Sequence, residues 1–177
     1  MLVNIIAVLI LFFSFVGGFT QGAVKSFFSL VSFLVALPIA GLFYPFFAGL
    51  LSFLPGENWE NFVGFIIALA IASIIMSFIF YIPRKKIESI WHEGFFFRLF
   101  GGLLNLLSAA IGIVVFALVI NAYPIADWLQ QALTGSGVIV WLSATLSFVH
   151  ELLPQEITAL PDTLLLKPAF IGRAGLP

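Results

Sequence analysis

Residues 15–25, FVGGFTQGAVK, separate the first two long apolar runs of the chain and therefore decide how its first part folds. Within this stretch lie three glycines, Gln21 and Lys25, which is the only basic residue before position 84. Three interpretations fit these residues: the loop of a soluble helical hairpin, the cleavage site of a signal peptide, or the turn between two membrane helices. The composition of the whole chain distinguishes among them.

The chain of 177 residues is 62% hydrophobic and 8% charged, and its mean hydropathy is +1.20. Soluble domains carry roughly 25% charged residues, because a folded chain needs charge to cover its surface. Charged residues are absent from four long segments, which are residues 2–16, 27–54, 62–82 and 99–123. A bilayer core about 30 Å thick needs roughly 20 apolar residues of helix. The sequence therefore predicts an integral membrane protein, with residues 15–25 at its first turn.

The predicted fold is all-α: an integral membrane four-helix bundle with a C-terminal amphipathic or re-entrant helix. Its four transmembrane helices cover about residues 2–18, 26–44, 62–82 and 99–123, within a domain of residues 1–123. Pro83 is expected to end the third helix. The first helix is expected to stay uncleaved, because no Lys or Arg precedes its apolar run and no Ala-x-Ala-like site follows it.

The remainder of the chain is less apolar. Residues 124–153 are expected to form an amphipathic, interfacial helical region, because serines and a histidine interrupt the apolar run there. A fifth span over residues 137–153 is the alternative, since this segment is near the lower length limit for crossing a bilayer. Residues 154–177 are punctuated by prolines and are expected to be a loosely ordered tail.

The basic residues are distributed unevenly over the predicted connections. The first connection contains Lys25, and the third contains Arg84, Lys85, Lys86 and Arg98, whereas the second contains only acidic charges. Since basic residues near helix ends are retained on the cytoplasmic side, the first and third connections are predicted to be cytoplasmic and both termini to lie outside. The same five residues are predicted to anchor the cytoplasmic interface by snorkelling or by holding anionic headgroups.

Small residues recur at intervals of four along the predicted helices, as in the series Ser14, Gly18, Gly22 and Ser26. Small residues let membrane helices approach closely, so these series predict a tightly packed bundle or a homo-oligomer. Alternatively, the glycines between residues 15 and 25 only make the chain reversal. The helix-packing positions predicted from all such series are Gly18, Gly22, Gly64, Gly101, Asn105 and Gly112.

Few side chains are suited to catalysis or to metal binding. The neighbours His92–Glu93 and His150–Glu151 supply two ligands each, whereas a zinc site needs three or four ligands that converge. Cysteine is absent from the sequence, as are a nucleophile elbow and a nucleotide-binding loop. The sequence therefore predicts no catalytic, cofactor-binding or metal site. The net charge of −1 argues against nucleic acid as a partner.

The predicted spans contain no ionisable residue, which argues against a proton-coupled carrier. Their polar residues are Asn105, Ser108, Asn121 and several other serines. These side chains can hydrogen-bond between helices, or they can line a channel that an oligomer forms. The expected partners are the lipid bilayer and either further copies of the chain or other membrane proteins.

The order of these segments resembles the CvpA family of bacterial inner-membrane proteins, which is named for colicin V production. The resemblance covers about residues 1–155, and its main stretches are GGFTQGAVKSFFSLVSFLVALPIAGLFYP and FFFRLFGGLLNLLSAAIGIVVFALVI. Gly22 and Lys25 match the family's opening of helix two, and Arg98 and Gly101 match its Asp-Arg-x-x-Gly stretch. The resemblance implies an inner-membrane protein that supports production or export of a colicin V-like toxin, and envelope-related processes, through interactions with other membrane proteins.

The chain departs from the family pattern at charged positions. Asn4 stands where the family has an acidic residue, and Gln21 where it has a basic one. Ser26 replaces an acidic residue, and Phe97 replaces the Asp that precedes the arginine. If the family's activity depends on those charges, the resemblance implies that this member has lost or altered it.

Overall fold

The computed structural model describes residues 2–88, 94–154 and 157. These residues are largely helical and contain no strand. Their helices are α1 (Leu2–Gln21), α2 (Ala23–Leu50), α3 (Glu57–Glu88), α4 (Phe95–Ala122), α5 (Asp127–Thr134), α6 (Gly137–Thr145) and α7 (Val149–Leu152). The predicted all-α class is confirmed.

The four helices α1 to α4 are long and apolar enough to cross a bilayer. The shortest of them, α1, has 20 residues. At a rise of about 1.5 Å per residue, such a helix is about as long as a bilayer core is thick. The described residues therefore contain four membrane-capable helices, as the charge-free segments of the sequence predict.

Two predicted helix ends are wrong because prolines lie inside helices. The second helix does not end near Tyr44 but continues through Pro45 to Leu50, and the third continues through Pro83 to Glu88. Proline removes one backbone donor, yet membrane helices tolerate it where neighbouring groups satisfy the freed carbonyl. The third helix also begins earlier than predicted, at Glu57. The carboxylates of Glu57 and Glu60 in its first turn interact favourably with the positive end of the helix dipole.

The reversal between α1 and α2 is confined to a single residue. Gly22 has a φ of 82°, a backbone angle that favours glycine, and it is the only residue between the two helices. Gly17 and Gly18 lie inside α1 and have helical backbones. Of the three glycines in residues 15–25, only Gly22 therefore makes the turn.

The long helices do not pack in chain order. Most contacts of α1 are with α4, those of α3 are with α2, and α2 and α4 also contact each other. Helix α4 is the most enclosed of the four, because 44% of the residues in its apolar stretch are buried, against 11% for α1. The spatial order is therefore α1, α4, α2, α3, with α1 and α3 at the edges. The largest fully buried side chains include Leu37, Phe65 and Ile111.

The segment after α4 folds back against the bundle as three short helices. Helix α6 has 9 residues, so it is too short to span a bilayer, and no fifth span is found among the described residues. Leu142, Leu146 and Val149 are buried in the same core cluster as the long helices. Trp128 and Trp141 remain 71% and 64% exposed, as is typical of side chains at a membrane interface. The predicted tail lies outside the described residues, except for residues 154 and 157.

Candidate functional site

Helices α1 and α4 approach each other backbone to backbone. A Cβ atom added to Gly101 would lie 2.6 Å from the carbonyl oxygen of Gly18 and 2.8 Å from that of Gly22. A Cβ atom added to Gly18 would overlap the carbonyl oxygen of Gly101 and the Cβ atom of Asn105. Only glycine fits at such a separation. Gly18, Gly22, Gly101 and Asn105 therefore form one contact, the glycine seam, within a single chain.

A hydrogen bond extends the glycine seam by one helical turn. The side-chain nitrogen Nδ2 of Asn105 donates to the carbonyl oxygen of Ser14 at 2.7 Å. Hydrogen bonds between membrane helices are typically worth about 0.6 kcal/mol and reach roughly 2 kcal/mol. This bond therefore adds a modest stabilisation and fixes the rotation of α4 relative to α1.

A second close approach lies between α2 and α3. A Cβ atom added to Gly64 would lie 2.8 Å from the backbone nitrogen of Ala48. Ala68 and Ala72 continue the same face of α3 and are buried. The sixth predicted packing position, Gly112, is different, because an added Cβ atom would find its nearest neighbour, the Phe33 ring, at 3.9 Å. The structure therefore places Gly64 in a helix contact and leaves space around Gly112.

All four long helices border a cavity of about 320 Å³ that is lined by hydroxyl groups. Helix α3 reaches towards α4 near its own beginning, where the ring centroids of Phe62 and Phe116 lie 6.3 Å apart. Farther along α3, the residues that line the space between the helices are Ser73 and Ser77. The hydroxyl groups of this serine-lined cavity belong to Ser14, Ser29, Ser32, Ser73, Ser77 and Ser108.

The serine-lined cavity is polar but uncharged. Its other lining residues are Phe33, Asn105 and Ala109, so no charged side chain is among the described residues that line it. Ser32 is only 4% exposed, whereas Ser29 and Ser77 are exposed, so the cavity opens to the surface of the bundle. Water or a solute that forms hydrogen bonds can therefore reach hydroxyl groups of this lining.

The predicted interface anchors lie at one end of the bundle, which we call the cationic end. The ends of three helices meet there, since Ala23, Ile87 and Phe96 line one apolar cavity. The acidic first turn of α3 lies at the opposite end of that helix. The anchors belong to the start of α2, the last turns of α3 and the start of α4; they are Lys25, Arg84, Lys85, Lys86 and Arg98.

The four departures from the family's charged positions do not form a single site. Gln21, Ser26 and Phe97 lie at the helix ends of the cationic end, where Ser26 is buried and the other two are exposed. Asn4 lies near the other end of α1, and its side-chain oxygen accepts a hydrogen bond from the hydroxyl of Ser136 at the start of α6. A carboxylate at position 4 could accept the same bond.

The sequence identifies Asn105 and Ser108 by position, and it includes the serines of α2 and α3 only as a group of possible channel-lining residues. Their spacing is the signal that could have found them, because Ser73 and Ser77 share one helix face, as do Ser29 and Ser32. For metals, no group of three His, Asp or Glu side chains converges in the described parts of the chain. The pair His92–Glu93 lies outside the described residues.

Comparison with known proteins identifies the family. No match is found among curated proteins or among solved structures. The profile of a family described as colicin V production protein matches residues 3–147. This range includes the glycine seam and every residue that lines the serine-lined cavity. The chain therefore belongs to the colicin V production protein family, the CvpA family that its sequence resembles.

Proposed function

We propose that this membrane protein supports the production or export of a colicin V-like toxin, and envelope-related processes, by interacting with other membrane proteins of the bacterial inner membrane. The observation that carries the proposal is the family match over residues 3–147, which includes nearly all of the four membrane-capable helices. The edge helices α1 and α3 supply surface for such partners. Their outward faces include Phe13, which is 65% exposed, and Phe78, which is 75% exposed.

The test is site-specific photo-crosslinking in bacteria that produce a colicin V-like toxin. A photoreactive amino acid at Phe13 or Phe78 is expected to capture another membrane protein, whereas the same residue at the fully buried Phe65 is expected to capture none. The amount of secreted toxin is expected to fall when the gene for this protein is deleted and to recover when the gene is restored. Normal toxin secretion from the deletion strain would contradict the proposed role.

The proposed orientation places the cationic end in the cytoplasm and both termini outside. The five basic residues at that end support it, since positive charge is retained on the cytoplasmic side. Lys85→Cys is expected to react with a membrane-impermeant maleimide only after cells are permeabilised. Trp128→Cys, which follows the last long helix, is expected to react in intact cells. The opposite labelling pattern would reverse the orientation.

A second candidate function is that of a subunit of a small oligomeric channel or transporter. The serine-lined cavity favours it, because uncharged polar groups from all four long helices converge inside the membrane-capable part of the chain. The test is reconstitution of the full chain into liposomes, followed by measurements of conductance and of solute influx. Activity that disappears in Ser32→Leu would support this function, whereas liposomes no more permeable than protein-free ones would contradict it.

A further inference from the structure

A polar track leads from the serine-lined cavity along α3 towards the cationic end. A neighbouring cavity of about 360 Å³ shares Ser73 and Ser77 with the serine-lined cavity, and its other lining residues are Ile74, Phe78, Tyr81 and Arg84. Its polar residues are Ser73, Ser77, Tyr81 and Arg84. These four residues follow one another at intervals of four, four and three, which places them on one face of the helix. Lipid tails cannot satisfy hydroxyl groups, so this face favours water.

The chemistry of the lining points to a class of guest. Hydroxyl groups both donate and accept hydrogen bonds, and the carboxamide of Asn105 does so as well. An ion would need a compensating charge in such a place, and the serine-lined cavity has none among its described lining residues. Ser29 and Ser77 are exposed residues of this lining, so a hydrogen-bonding guest can reach them.

The size of the cavity sets the scale of that guest. A volume of about 320 Å³ corresponds to roughly ten molecules of liquid water at about 30 Å³ each. A three- or four-carbon polyol of roughly 90–120 Å³, estimated as three to four such water volumes, therefore fits with water to spare.

We propose that the serine-lined cavity is a hydrated binding site for a small uncharged polar solute of the polyol class, which enters from the cationic end along Ser77 and Tyr81. The proposal rests on the second proposed function, a channel or transporter subunit, and specifies its substrate class. The solute exchanges hydrogen bonds with the serine hydroxyls and with Asn105.

The test uses the absence of cysteine from the natural sequence, which makes single cysteine variants of the reconstituted full chain specific reporters. The probe is hydroxyethyl methanethiosulfonate, a small uncharged thiol reagent. Ser73→Cys is expected to react at least about tenfold faster than Ala110→Cys, because thiol–disulfide exchange depends on access. Ser73 belongs to the lining of both cavities, whereas Ala110 is 4% exposed in the apolar core. Ser29→Cys provides the same reading from α2 if Ser73→Cys fails to fold.

Protection and blocking measurements test the guest and its route. Glycerol and erythritol are expected to slow the modification of Ser73→Cys, whereas potassium chloride of equal osmolality is not. Adding Ser77→Phe is expected to slow the reaction by filling the track. Equal reactivity of Ser73→Cys and Ala110→Cys would overturn the proposal, as would protection by the salt alone or no protection by either polyol.

Different results would contradict the polyol-binding site and the channel or transporter function. If polyols protect Ser73→Cys but enter proteoliposomes no faster than protein-free liposomes, the binding site is supported and the channel or transporter function is contradicted. If polyols enter proteoliposomes faster than protein-free liposomes while the protection experiment is negative, the serine-lined cavity is not their site.

Discussion

The side-chain nitrogen of Asn105 lies 2.7 Å from the carbonyl oxygen of Ser14, and this hydrogen bond joins the central helix α4 to the edge helix α1. Both residues also line the serine-lined cavity. The bond therefore connects the packing of the bundle with the shape of the serine-lined cavity. A change in how α1 sits on α4 would also change the shape of that space.

Asn105→Ala is expected to lower the free energy of unfolding by about 0.6–2 kcal/mol, because it removes a hydrogen bond between helices. Asn121→Ala is the matched control, since the side-chain nitrogen of Asn121 donates to the carbonyl oxygen of Ala117 within the same helix. Reversible unfolding in lipid bicelles provides the measurement. Equal effects of the two substitutions would show that the bond to Ser14 has no special role in stability.

Gly101→Ala is expected to destabilise the protein by about 1–3 kcal/mol, because the new methyl group would meet backbone atoms of α1 that cannot move aside. Gly112→Ala has the opposite expectation: its surroundings leave space, with the nearest atom at 3.9 Å. It is expected to be neutral or to stabilise α4 by at most about 1 kcal/mol, since alanine favours helix. Reversible unfolding in lipid bicelles again provides the measurement. An unchanged free energy of unfolding for Gly101→Ala would contradict the close contact at the glycine seam.

The hydroxyl of Tyr123 donates to the hydroxyl of Tyr44 at 3.0 Å in the buried core. A double-mutant cycle of Tyr44→Phe and Tyr123→Phe is expected to give a coupling energy of about 0.5–1.5 kcal/mol, the usual net value of a hydrogen bond. Tyr81→Phe is the control for loss of a hydroxyl, because Tyr81 is 51% exposed. Strictly additive effects in the cycle would mean that the pair contributes nothing as a pair.

Ser136 both caps α6 and holds it to α1. Its hydroxyl oxygen accepts from the backbone nitrogen of Ile139 at 3.4 Å, and its hydroxyl donates to the side chain of Asn4. Ser136→Ala is expected to cost about 1 kcal/mol of local stability, the usual cost of a lost N-cap. Hydrogen exchange of the α6 amides is expected to accelerate.

Thr145→Ala supplies the control for Ser136→Ala, because the Thr145 hydroxyl donates at 2.9 Å to the carbonyl oxygen of Trp141 within the same helix and is exposed. Its effect on hydrogen exchange of α6 is expected to be small. If both variants accelerated exchange equally, the contact between Ser136 and Asn4 would not be what holds α6.

The sequence predicts the number and type of the long helices because apolar length is a local property, readable without knowledge of neighbours. It does not predict that α3 continues past Pro83, since the tolerance of a membrane helix for proline depends on the groups packed around the freed carbonyl. It also predicts that Gly18 and Gly101 pack, but not that they pack on each other. Spacing identifies a face of a helix and leaves the identity of the opposing face to the tertiary structure.

The serine-lined cavity was harder to predict for the same reason. Ser73 and Ser77 occupy one face of α3, but nothing in their spacing indicates that Asn105 of α4 borders the same space. Isolated serines in membrane helices commonly hydrogen-bond to their own backbone or to a neighbouring helix. Their convergence becomes visible only once the spatial order α1, α4, α2, α3 is known.

The packing of α1 against α4 also sets the order in which these helices can assemble during synthesis. Gly18 and Gly101 are separated by 101 − 18 = 83 positions, so α1 is synthesised well before its packing partner exists. During that interval α1 lacks its main packing partner, because its contacts with α2 are few. The glycine seam can therefore form only after α4 has been synthesised, and a chain truncated before α4 is expected to leave the small-residue face of α1 without its partner.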